Sequence, residues 1–173
     1  QLGQVSLDRI EEIFQSEPKI KNNKSYKKSN EAIKGLIEAK DLKIRYENSK
    51  TNALDGIDLK ILPGELVAIV GPVGCGKTTL AKALGRTIDI PEDQLFIDNI
   101  DVKKIDLKYL RKNVAIVPQE AFLFTSTISE NLRFGDPKAS IDLVKTSARK
   151  AGLNEDIINF PKGYNTLVGE RGI

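Results

Sequence analysis

Between residues 38 and 119 the apolar positions change pattern several times. Leu42, Ile44 and Tyr46 alternate with polar residues, and so do Ile57, Leu59 and Ile61. Alternation of this period predicts half-buried strands, with "ENSKTN" between them as a hairpin-like loop. "PGE" at 63–65 predicts a turn. "LVAIVG" at 66–71 is apolar without a break, the pattern of a parallel strand covered on both faces. A helix is expected to follow from Gly76 to about Leu84. "QLFID" at 94–98 predicts a short strand, and "NVAIVPQ" at 113–119 contains another buried one. Between them, Asp106 stands where it would cap a short helix over "LKYLR".

After Gln119 the strand patterns stop. Thr127 and Glu130 have the spacing of a capping box, opening a short helix through Leu132. Ile141, Val144, Ala148 and Ala151 recur at helical spacing, with Gly152 as a stop. At the other end, residues 1–17 place Val5, Ile10, Ile13 and Phe14 on one helical face, and Pro18 ends the pattern. That helix has no core of its own. Residues 19–30, "KIKNNKSYKKSN", hold five lysines and no acid and read as a solvated linker. The expected organisation is an amphipathic helix at 1–18, a basic linker at 19–37, and a domain at 38–173 whose α/β part gives way to helices from about 120.

Composition narrows the function classes. The 173 residues are 40% hydrophobic and 29% charged, a globular balance. A net charge of +3 from 27 basic and 24 acidic residues, interleaved, makes no case for nucleic acid as a partner. A single cysteine, Cys75, rules out an intramolecular disulfide. No apolar run reaches the roughly 20 residues of a membrane span, so this stretch is expected to be soluble by itself. There is no histidine to serve as base or metal ligand, and no methionine, so the sequence is expected to be a piece of something longer.

The candidate chemistry lies at the break between the apolar run and the helix. "GPVGCGKTT" matches G-x-x-x-x-G-K-[ST] through Gly71, Gly76, Lys77 and Thr78. Gly71, Gly74 and Gly76 let backbone wrap phosphates without Cβ clashes. The N–H groups of Gly74, Cys75, Gly76, Lys77, Thr78 and Thr79 are expected to converge on phosphate oxygens, helped by the positive end of the helix. Lys77 supplies a mobile positive charge for the outer phosphates, and the Thr78 hydroxyl is an oxygen ligand for Mg²⁺. The context the motif requires, a buried strand before and a helix after, is written in the same stretch.

Four further stretches, "DLKIRY", "VAIVPQEAFLF", "TSTISENLRFGDP" and "FPKGYNTLVGERGI", together with the cradle, resemble the nucleotide-binding domain of an exporter-type ABC transporter over Glu38–Ile173. The resemblance implies a fold: a P-loop NTPase (RecA-like) α/β core with an antiparallel β subdomain and the start of the helical subdomain, as an incomplete domain. It implies that Tyr46 stacks on adenine and that Gln119 contacts Mg²⁺ and the attacking water, with Lys77 and Gln119 as catalytic residues and ATP and Mg²⁺ as cofactors. The implied partners are a transmembrane domain of the same transporter and a second nucleotide-binding domain, at the cytoplasmic face of a membrane. On this reading residues 1–18 are the cytoplasmic end of the last transmembrane helix. Two other readings stay open: a soluble ABC-type ATPase, and a non-catalytic nucleotide-binding module.

The family also uses a Walker B strand with a catalytic glutamate, a signature motif and a switch histidine, all expected after "GERGI". In this sequence no apolar run ends in Asp-Glu. "LFID" ends at Asp98, but Asn99 follows it and it precedes Gln119, so it does not qualify. The expectation is nucleotide binding without turnover by these residues alone, and open sheet edges at Leu66–Val70 and Val114–Val117.

Overall fold

The computed structural model describes residues 7, 10, 11, 14–22, 32–120 and 122–169. The expectations for Val5, Ile13, the linker residues 23–31 and the Glu170–Ile173 end of "VGERGI" fall outside the described residues. The chain forms two compact units, residues 1–116 and 117–173.

The first unit is built on a hairpin of β1 (Ile37–Ile44) and β2 (Leu54–Ile61). β1 also pairs antiparallel with β3 (Leu95–Ile97), and β3 with β4 (Ile100–Asp101), giving the order β2-β1-β3-β4. A bulge interrupts β1 between Ala39 and Leu42, where Asp41 takes φ 46°. It inserts two consecutive exposed residues, so that Ala39, Leu42 and Ile44 all still reach the core.

Helix α1 (Lys77–Leu84) lays Leu80 and Ala83 against that inner face. Leu42, Leu95, Val102 and Leu110 are fully buried between sheet and helices. Each such side chain contributes about 1.5–3 kcal/mol of burial. A 3₁₀ turn at Val102–Lys104 leads to α2 (Leu107–Asn113), and the Asp106 carboxylate caps α2 by accepting from Tyr109 N at 2.8 Å. The expected capping role of Asp106 is what the structure shows.

Two expected strands are absent from the sheets. Leu66–Val70 and Val114–Val117 have no strand conformation, and Leu66, Val70 and Val117 are almost wholly exposed. The reason is physical: an all-apolar parallel strand holds its shape only when neighbours bond both edges and helices cover both faces. Among the described residues neither segment has a ladder partner. The second segment starts docked, with Val114 packed on the core and Ile116 lying over Gly85, where an added Cβ would meet its Cδ1 at 2.4 Å.

Asp98 has a structural task instead of a chemical one. Its carboxylate accepts from the backbone N–H groups of Lys34, Gly35 and Leu36 at 2.7–3.0 Å, which ties the approach to β1 onto the β3–β4 turn. Leu7, Ile10, Glu11, Phe14 and Gln15 have helical backbone, and Phe14 is 84% exposed.

The second unit is mostly helical: α3 (Ile128–Leu132), α4 (Ile141–Lys150) and α5 (Asn154–Ile158). Val144, Ala148 and Ile157 form its buried contact. α3 opens with the expected capping box: Thr127 Oγ1 accepts from Glu130 N, and Glu130 Oε2 accepts from Thr127 N at 3.0 Å. Strands do not stop entirely after Gln119. A two-stranded pairing of β5 (Ser126–Thr127) with β6 (Leu167–Val168) brings the ends of this unit together. No helix among the described residues is long and apolar enough to cross a membrane.

Candidate nucleotide site

The glycine loop and α1 form the centre of the site. Gly74 and Gly76 sit at φ 85° and 94°, a region that glycine enters without strain. Gly76 is constrained twice, since an added Cβ would lie 2.4 Å from Ala53 O and 2.6 Å from Leu54 Cδ2. The loop therefore rests directly on the start of β2. Gly71 faces Cys75, whose Sγ would be 2.7 Å from an added Cβ. The turn closes through Cys75 N, which donates to Pro72 O at 3.4 Å.

α1 begins at Lys77 without a side-chain cap. The first N–H groups of any helix lack an intrahelical acceptor, and their partial positive charge attracts anions. The Lys77 ammonium doubles back across the loop and donates to Gly71 O at 2.9 Å and Pro72 O at 2.8 Å. It lies 3.6 Å from Cys75 Sγ. The loop thus gathers an ammonium, the uncapped N–H groups of α1 and two glycines, Gly71 and Gly76, at which an added Cβ would clash. Those residues fit a polyphosphate. Thr78 is exposed beside it.

Tyr46 lies past the end of β1 and is turned toward α1. Its hydroxyl stands 3.2 Å from the hydroxyl of Thr79. Thr79 is 7% exposed, and a buried hydroxyl needs a partner. Tyr46 supplies one, and 41% of its own surface stays open. The structure thus brings together Tyr46, Gly71, Gly74, Cys75, Gly76, Lys77, Thr78 and Thr79 within the first unit. Gln119 belongs to the second unit, exposed just after Pro118.

Several contributors were not visible in the sequence. Ala53 and Leu54 floor the loop, and only the packing of β2 reveals it. The segment Lys19–Asn22, which reads as solvated linker, is bonded to the domain. Arg86, 2% exposed, donates through Nη2 to Lys21 O at 2.9 Å. Asn22 accepts from Leu107 N at 2.8 Å and donates to Asp106 Oδ2 at 2.9 Å. Lys19 pairs with Glu47 at 2.6 Å. A Lys-Asn-Ser run gives no sign of such tertiary bonds.

A glycine-rich loop leading from the Leu66–Val70 segment into a helix, beside an antiparallel sheet, is the arrangement of a partial P-loop domain. Residues 54–169 match the family model described as ABC transporter. The chain is 38% identical over 169 residues to a putative multidrug export ATP-binding/permease protein, YgaD, of Bacillus subtilis, covering 98% of this chain and 29% of that one. It is 39% identical over 168 residues to ABC transporter B family member 4 of Dictyostelium discoideum, covering 96% of this chain and 22% of that one. It is 33% identical over 178 residues to an ATP-dependent lipid A-core flippase of Aromatoleum aromaticum, covering 100% of this chain and 28% of that protein. The structure superposes on a bacterial Atm1-family ABC exporter with ATP bound at a TM-score of 0.86 and 29% identity, over 99% of this chain and 30% of that one. The chain belongs to the ABC transporter family. It spans less than a third of the length of these relatives.

Proposed function

We propose that this chain binds ATP, with the triphosphate in the Gly71–Thr79 loop and the adenine on Tyr46, as the nucleotide-binding part of an ABC exporter. The observation that carries the reading is the position of the Lys77 ammonium across the loop, bonded to Gly71 O and Pro72 O. An ammonium at the uncapped N-terminus of a helix favours an anionic ligand. Tyr46 provides an aromatic surface next to the loop, and an aromatic face accepts a base by stacking.

Mg²⁺ when bound would neutralise phosphate charge, and the Thr78 hydroxyl of the loop is suited to hold it; the Gln119 amide oxygen is of the same ligand class. In the whole protein, ATP binding and hydrolysis would drive a substrate across a membrane. The partners would be a transmembrane domain and a second nucleotide-binding domain. Residues 1–18 would descend from the membrane as a helix into the linker. Lys77 and Gln119 would act on the γ-phosphate and the attacking water, while these residues alone bind without appreciable turnover because the water-orienting glutamate is not among them.

Calorimetric titration with ATP and Mg²⁺ tests the reading. Lys77→Ala is expected to weaken binding by roughly 10- to 100-fold, the loss of a charge-assisted contact. Tyr46→Ala is expected to cost about 1–3 kcal/mol of stacking. Absence of binding in a folded sample, or a steady hydrolysis rate abolished by Lys77→Ala, would refute it in its first and last parts respectively.

A further inference from the structure

We propose that the strap Lys19–Asn22 is part of the nucleotide site, with Ile20 contacting the base on the side of Tyr46 away from the phosphates. The inference rests on the reading that ATP binds at Gly71–Thr79 with its adenine on Tyr46. Two independent observations carry it.

The first is that the strap is held in place. Arg86 grips the carbonyl of Lys21, Asn22 bonds both the backbone and the capping carboxylate at the start of α2, and Lys19 pairs with Glu47. The Lys21 and Asn22 bonds fix the backbone just after Ile20, while the exposed Lys19–Glu47 ion pair before it adds little. Arg86 is buried at the point where it holds the strap, so the bond lies in a poorly hydrated setting and is correspondingly firm.

The second is a cavity of about 670 Å³ that Lys19 and Ile20 share with Tyr46, Arg45, Thr87 and Ile88. Its size suits a small-molecule ligand. Tyr46 is the link between this cavity and the loop, because its hydroxyl meets Thr79 at the loop's end while the residue also lines the cavity. A nucleotide whose phosphates lie in the loop and whose base follows the Tyr46 ring enters this space. Ile20, Ile44 and Ile88 are the aliphatic residues of its lining, among polar and charged neighbours that include Glu47, Asn48 and Asp89. An aromatic ring with aliphatic residues in the same cavity offers a flat heterocycle a stacking face and apolar contact.

The chain contains no tryptophan, so Ile20→Trp in the full 173-residue chain introduces a reporter at one known place. Saturable quenching by Mg-ATP, at the concentration where calorimetry shows binding, and none by Mg-tripolyphosphate, is the expected result. Ile20→Ala, checked for folding by circular dichroism, is expected to lose about tenfold in ATP affinity, as for a missing aliphatic contact in a pocket, while its tripolyphosphate affinity stays unchanged. Normal ATP binding with a silent Ile20→Trp signal, or an Ile20→Ala affinity equal to that of the unsubstituted chain, overturns the inference and leaves the nucleotide reading standing. Failure of the unsubstituted chain to bind ATP overturns both.

Discussion

The hydroxyls of Tyr46 and Thr79 stand 3.2 Å apart, joining the end of the first strand to the first turn of the loop helix. The bond satisfies a buried group on α1 and at the same time fixes where the aromatic ring sits. The two roles of Tyr46 are separable. Tyr46→Phe removes the bond and keeps the ring, so ATP affinity should stay near that of the unsubstituted chain while stability falls by about 1 kcal/mol. Tyr46→Ala should lower both. Paired calorimetry and thermal melts check this.

Gly76 is the position where the loop tolerates no side chain. Alanine there would need a left-handed conformation costing roughly 1–2 kcal/mol, and its Cβ would strike backbone of Ala53 at 2.4 Å. Gly76→Ala is expected to abolish ATP binding and to lower the melting temperature. Gly135→Ala, where an added Cβ meets nothing within 4 Å, is the matched control and should leave binding intact.

Asp106 caps α2 and also receives Asn22 from the strap. Asp106→Ala should destabilise the fold by about 1 kcal/mol, the usual cost of an N-cap. Asp106→Asn keeps an acceptor for Tyr109 N and should recover most of that loss. Chemical denaturation of the three proteins measures the difference.

The capping box of α3 makes a pH prediction. Bonds from Ser126, Thr127 N and Thr127 Oγ1 hold Glu130 down from an ordinary 4.5 to about 2. A carboxyl whose folded value is depressed adds stability above its unfolded value, and loses it as the pH falls through the folded one. The Glu130 contribution should be complete above pH 4.5 and gone near pH 2. Glu130→Gln should flatten that part of the stability profile, with the two proteins differing at pH 6 and converging in acid. Melts across this range check the sign.

What could be read from the chain alone were the features set by neighbours in sequence. The hairpin, the Asp106 cap, the Thr127–Glu130 box and the glycine-lysine loop depend on side chains within a few residues of the backbone they serve. Their patterns are therefore written locally. Alternation gave the strands their faces, although the bulge at Asp41, a tertiary adjustment that lets β1 keep both Ala39 and Leu42 inside, left no mark on that pattern. Apolar content alone misled at Leu66–Val70 and Val114–Val117. A run of valine and isoleucine states that a strand is wanted, but the ladder that makes it one must come from elsewhere in space. Tertiary structure alone decided that Ala53 floors the loop, that Tyr46 meets Thr79, and that a lysine-rich segment is tied down by Arg86 and Asn22. These contacts join residues far apart along the chain, and hydrogen bonds to backbone carbonyls leave no signature in the residue that accepts them.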